Sequence, residues 1–63
     1  MGVGKNIKII REGKGFTRTD VGERMGVTRQ AIFYIEKRDR HRVETLKRLA
    51  GILDCNIVDF FTE

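Results

Sequence analysis

Apolar residues recur along this chain at intervals of three and four, and alternation never persists. That period belongs to helices. Val3, Ile7 and Ile10 form one stripe and predict a first helix over about 4–12, stopped by Gly13 and Gly15, with Phe16 as an apolar anchor beyond it. Thr17 followed three residues on by Asp20 is a variant of the capping box, so a second helix starts there, with Val21 and Met25 as its stripe. Gly26 suits the left-handed position just past a helix end. Thr28 then caps a third helix that buries Ala31, Ile32 and Ile35. Gly22 costs about 1 kcal/mol relative to alanine in a helix, but its missing side chain lets another helix cross close above it. Val43, Leu46, Leu49, Ala50 and Leu53 fall at i, i+3, i+6, i+7 and i+10, an apolar face over about 43–53. Asn56, with Asp59 three residues later, caps a last short helix carrying Ile57, Phe60 and Phe61 on one side. The expectation is an all-α, compact bundle of five short helices forming one domain over 1–63.

Apolar Val21, small Gly22, apolar Met25, Gly26, apolar Val27, Ile32 and Ile35 together resemble the helix-turn-helix of the lambda-repressor/Cro-like family, placed here at about 17–36. The segments GKNIKIIRE and VETLKRLAGILDCNIVDFF resemble the family's first, fourth and fifth helices, so the likeness runs from about Val3 to Phe61. It implies a recognition helix over about 28–37 that enters a DNA major groove. The family commonly ties its first and third helices by an Arg–Glu pair. Arg11 and Glu36 stand at those positions, each directly after an apolar stripe residue, where packed helices can bring them together. The chain departs from the family after Glu36, with neither the usual Gly nor a Pro before the fourth helix and a loop about one residue short.

On a wheel of 100° per residue with Ile32 at zero, Phe33 lies at about 100°, Lys37 at about 140°, Gln30 at about 160° and Tyr34 at about 200°. Those side chains form the outward face, with Arg29 projecting from the first turn. Arginine pairs with guanine, glutamine with adenine, and an apolar ring packs on a thymine methyl. Carried over by position, the base-contacting residues are Arg29, Gln30, Phe33 and Tyr34. Arg18 stands where the family most often has a phosphate-binding Gln, Thr28 offers a hydroxyl at a helix N-terminus, and Lys37, Arg38 and Arg40 add a basic rim. His41 in the same loop reads as a solvated residue.

Charge sharpens this picture. The net charge is +4, and it is unevenly spread: residues 1–42 hold 11 basic and 5 acidic side chains (+6), residues 43–63 hold 2 and 4 (−2). A basic front suits a polyanion and leaves the acidic tail for another contact. Ile52 lies opposite Val43 on its helix, Val58 falls off the inward stripe of the last one, and Phe61, next to Phe60, is hard to bury fully in so small a core. These three are the candidate dimer interface, while Phe60 either joins them or caps the core. Ile9 falls outside the first stripe and belongs to that surface or to none.

The lone Cys55 forms no internal disulfide, and no Cys/His pattern resembles a metal site, so no metal or other cofactor is expected. No apolar run reaches membrane-spanning length, no signal-peptide core is present, and Asn6 breaks the myristoylation motif that Met1-Gly2 would open. A cytoplasmic, or nucleoid-associated, location is expected. No nucleophile, base or metal cluster converges, which argues against an enzyme. The sequence thus predicts a sequence-specific double-stranded DNA-binding regulator, a repressor acting as a homodimer. The rival is a protein-interaction module, antitoxin-like, using the aromatic face.

Overall fold

The computed structural model describes residues 2–62, so the Met1 start and the acidic Glu63 lie outside it. Four α-helices and a closing 3-10 helix replace the five α-helices expected: α1 Val3–Gly13, α2 Arg18–Met25, α3 Arg29–Lys37, α4 Val43–Leu53 and the 3-10 helix Ile57–Phe61. The local signals act where the sequence places them. Thr17 Oγ1 accepts from the Asp20 amide at 3.0 Å while Asp20 accepts from the Thr17 amide at 2.8 Å, closing the capping box of α2. Thr28 accepts from the Ala31 amide at 3.2 Å and starts α3. Gly26 takes φ 75°, the left-handed turn between them.

The core gathers one face from every helix: Val3 and Ile7, Val21 and Met25, Ile32, then Leu46, Leu49, Ala50 and Leu53, closed by Phe60. Phe60 belongs wholly to the core and not to a surface patch. A 3-10 helix repeats every three residues, so Ile57 and Phe60 point inward together and Phe61 points out. Asn6 of α1 fixes this end by donating to the carbonyls of Phe60, at 2.9 Å, and of Thr62.

Two glycines set the helix crossings. A Cβ on Gly22 would lie 2.7 Å from the Val27 carbonyl oxygen, so α2 crosses directly under the turn into α3. A Cβ on Gly4 would come within 2.3 Å of the Arg38 carbonyl oxygen and 2.4 Å of that of Glu36. The N-terminal end of α1 is thereby pressed onto the C-terminal carbonyls of α3, a favourable arrangement of helix dipoles. The family's Gly after Glu36 is not needed here. α3 ends at Lys37 and Arg38 leaves it in an extended conformation, φ −105° and ψ 148°.

Several expectations need correction. Val43, placed on the inward face, is 59% exposed. It is the first residue of α4, and helical Cβ atoms point toward the N-terminus, so its side chain overhangs the bundle. Ile52, offered as a surface residue, packs half-buried against the core. His41 is half-buried, its Nε2 donating to the Arg38 carbonyl at 2.8 Å and bracing the loop it was expected only to decorate.

Candidate nucleic-acid interface

Among the described residues the buried charges are Arg11 and Glu36, 6% and 8% exposed. Arg11 Nε donates to Glu36 Oε2 at 2.6 Å, and its Nη1 donates to the Phe16 carbonyl at 2.7 Å. Each residue stands four positions after a fully buried aliphatic, Ile7 and Ile32, and so directly above it on the helix. Ile10 and Ile35, one position earlier, are less covered than the charges they precede. The other oxygen of Glu36 is also occupied: Arg18 Nε donates to Oε1 at 2.9 Å. One carboxylate therefore carries two guanidinium groups, a buried one from α1 and a one-third exposed one from α2. Glu12, with Oε2 3.7 Å from Arg11 Nη2, offsets one of the two, and Arg18 carries its charge to the surface.

That surface is a cleft of about 680 Å³ where the first turns of α2 and α3 meet. Arg18, Arg29, Gln30 and Phe33 line it together, with Thr17 and Thr19. Thr19 is an exposed hydroxyl that sequence reading passed over; its one signal was its place beside Arg18 in the first turn. Arg29 and Gln30 are exposed, as is Tyr34 one turn further on. Phe33 is half-buried. Arg18 Cζ lies 5.2 Å and Lys37 Nζ 4.8 Å from its ring centroid, and the Tyr34 ring meets it edge-on at 5.7 Å. Lys37 is the last residue of α3, and Arg38, Arg40 and Arg42 continue the exposed basic rim through the loop beyond it.

Two further side chains, unmarked in the sequence, brace this front from behind. Arg48 Nη2 donates to the Met25 carbonyl at 2.9 Å, satisfying the end of α2 from α4. Arg24 lies over the Phe16 ring, 4.7 Å from its centroid, pinning the segment before α2. Away from the cleft, Val58 is 59% and Phe61 48% exposed at the acidic end. Cys55 packs partly buried against the core, and burial, then the Asp59 carboxylate, push its thiol upward. It stays a thiol, not an activated nucleophile. Among the described residues no group of His, Cys, Asp and Glu is placed to hold a metal ion, and no helix is long and apolar enough to cross a membrane.

The arrangement presents one short helix by its first turn and outer face, flanked by cations from the helix before it and the loop after it. Such a helix fits a major groove, with the flanking cations over the phosphates. A family model described as helix-turn-helix matches residues 7–60, nearly the whole chain, and no curated protein matches it. The chain therefore belongs to the helix-turn-helix family of the lambda-repressor/Cro type, a family of DNA-binding transcription regulators.

Proposed function

We propose that the protein is a sequence-specific repressor that acts as a homodimer on a two-half-site operator. The observation that carries this reading is the convergence of Arg18, Arg29, Gln30 and Phe33 on one cleft beside the exposed outer face of α3. Arg29, Gln30 and Tyr34 reach base edges, Arg29 toward guanine and Gln30 toward adenine. Arg18, Thr28, Lys37, Arg38 and Arg40 take backbone phosphates, with Thr19 a further hydroxyl at the same edge.

Size supports a second copy on such an operator. The Cα envelope measures 26 × 20 × 19 Å, shorter than the roughly 34 Å between successive major grooves on one side of the duplex. One molecule carries one recognition helix and covers one half-site. The dimer surface is assigned to the acidic end, through Val58 and Phe61, both exposed there. Ile52, half-buried against the core, contributes at most its edge. The interaction-module reading loses ground on α3 itself: of its two outward aromatics Tyr34 stands open, whereas Phe33 is covered by Arg18 and Lys37.

Selection from a randomised duplex pool, with binding then measured against salt, tests the reading. Wild type should yield a two-half-site consensus and bind it with a steep salt dependence. Gln30→Ala should lose about 1–3 kcal/mol on that site and relax one base pair per half-site. Val58→Asp with Phe61→Asp should halve the solution mass and abolish cooperative occupancy. Weak, salt-insensitive binding without a consensus would favour the interaction module instead.

A further inference from the structure

Phe33 sits where the outer face of α3 meets the start of α2, and two cations converge on its ring. The Arg18 guanidinium carbon is 5.2 Å and the Lys37 ammonium nitrogen 4.8 Å from the centroid, both inside the roughly 6 Å range of a cation–π contact. Arg18 comes from the first residue of α2 and Lys37 from the last of α3, so the ring joins the two ends of the cleft's basic frame. Arg18 is pinned a second time by the bond from its Nε to Glu36 Oε1. That bond uses the inner edge of the guanidinium, and among the described residues its Nη groups donate to no protein acceptor.

The chemistry of the ring is what distinguishes it. A carboxylate would also hold two cations, but it would cancel much of their charge. A phenyl ring attracts them through its quadrupole and leaves both charges available to an anion. A ring so engaged, and half-buried, is poorly placed to meet a thymine methyl. It is well placed to keep two long, flexible side chains at fixed points.

Resting on the duplex-binding reading above, we propose that Phe33 is a positioning residue: its ring holds Arg18 and Lys37 ready for two backbone phosphates and reads no base. Immobilising a free, rotamer-rich side chain on binding weakens affinity by about threefold to tenfold; the platform removes that cost for both.

The test compares Phe33→Leu with Phe33→Tyr, which keeps the ring. Phe33→Leu should bind the selected operator and random duplex about tenfold to a hundredfold more weakly alike, with the consensus and the salt slope unchanged, because both cations still reach their phosphates. Phe33→Tyr should bind like wild type. In an Arg18→Met/Lys37→Ala background, Phe33→Leu should change affinity by less than about twofold, the signature of residues acting as one unit. NMR of the DNA-free protein supplies a readout that needs no DNA: Arg18 Hδ and Lys37 Hε protons should be shifted upfield by the ring and released in Phe33→Leu. Ordinary shifts for these protons in wild type would overturn the platform even if DNA binding is strong. So would a consensus altered at one base pair in Phe33→Leu, which would make Phe33 a reader, or an undiminished loss in the Arg18→Met/Lys37→Ala background. Upfield shifts in a wild-type protein that binds no duplex would overturn the DNA reading itself, and the phosphate role with it.

Discussion

α2 and α4 both end in a left-handed residue, Gly26 at φ 75° and Asp54 at φ 55°. In both, the next amide reaches back five residues, Val27 to the Gly22 carbonyl at 2.8 Å and Cys55 to the Ala50 carbonyl at 3.0 Å. In both, the residue after that begins a new helical turn, Thr28 through its hydroxyl and Asn56 through its amide on Asp59. The corners match, but they lead into different elements. After the first comes a nine-residue α-helix, basic at its end and open to solvent along one side; after the second, five residues of 3-10 helix that drive Phe60 into the core. The corner is local chemistry. Its sequel is decided by the spacing of the next anchors: Ile32 and Glu36 are four apart, an α-helical interval, while Ile57 and Phe60 are three apart, a 3-10 interval. The anchors also differ in kind, ionic for α3 and apolar for the C-terminal turn.

The largest effects should come from removing those anchors. Phe60→Ala should cost about 3–5 kcal/mol through lost burial and a cavity. Glu36→Ala should cost a similar amount, about 3–5 kcal/mol, because buried Arg11 then keeps only the Phe16 carbonyl and Glu12, 3.7 Å away. A domain this small has roughly 3–5 kcal/mol in total, so either variant should lose much of its helical circular dichroism at 25 °C. A second substitution separates them. Arg11→Met should restore much of the fold to Glu36→Ala, since an apolar replacement for a buried pair is often neutral, and should do nothing for Phe60→Ala. Melting within a few degrees of wild type for Glu36→Ala would mean the ionic anchor carries little of α3's attachment.

Exchanging the corner residues should give smaller changes of opposite sign. Gly26→Ala forces a Cβ into the left-handed region and should destabilise by about 1–2 kcal/mol. Asp54→Gly relieves that conformation, but also frees the unfolded chain, so a gain of about 0.5 kcal/mol is expected. The Lys14 contact survives it, since Nζ donates to the backbone carbonyl of Asp54 at 3.0 Å. Urea midpoints for the two variants should therefore move in opposite directions, and movement in the same direction would break the equivalence of the corners.

Much of this is legible in the sequence. Caps, the left-handed Gly26 and the crowding at Gly22 stem from residue type at a fixed offset, and the α3 wheel places Gln30, Tyr34 and Lys37 outside. The features that escape it depend on where elements end and what lies across from them. Val43 keeps the helical phase and still overhangs, because phase does not say where the neighbouring helix stops. Gly4 looks in sequence like an ordinary first-turn residue, and only the crossing of α1 over the carbonyls of α3 explains why nothing larger fits. Arg18 reads as a phosphate ligand alone; its second role on Glu36 requires α2 and α3 to be packed at this angle. Phe33 reads as outward by angle, and the two cations that cover it come from positions 15 residues before and four after.

The smallest expected effect concerns pH and distinguishes the caps on either side of the first corner. Asp20 is held below the ordinary aspartate range chiefly by the Thr17 amide, with help from the Thr17 hydroxyl; desolvation opposes them and Arg24 adds a little. A carboxylate with a depressed folded pKa stabilises the fold above its unfolded value, about 3.9. That contribution is lost as pH falls through the lower folded value. Melting temperatures of wild type and Asp20→Asn should therefore differ most above pH 5 and converge as pH drops below about 4, since asparagine can still accept the Thr17 amide but has no charge to lose. Other carboxylates titrate over the same range in both proteins, so the difference between the two curves, and not either curve alone, isolates Asp20. A constant gap down to pH 2 would mean that α2 is started by the Thr17 hydroxyl by itself, leaving it capped like α3, where Thr28 acts without an acidic partner.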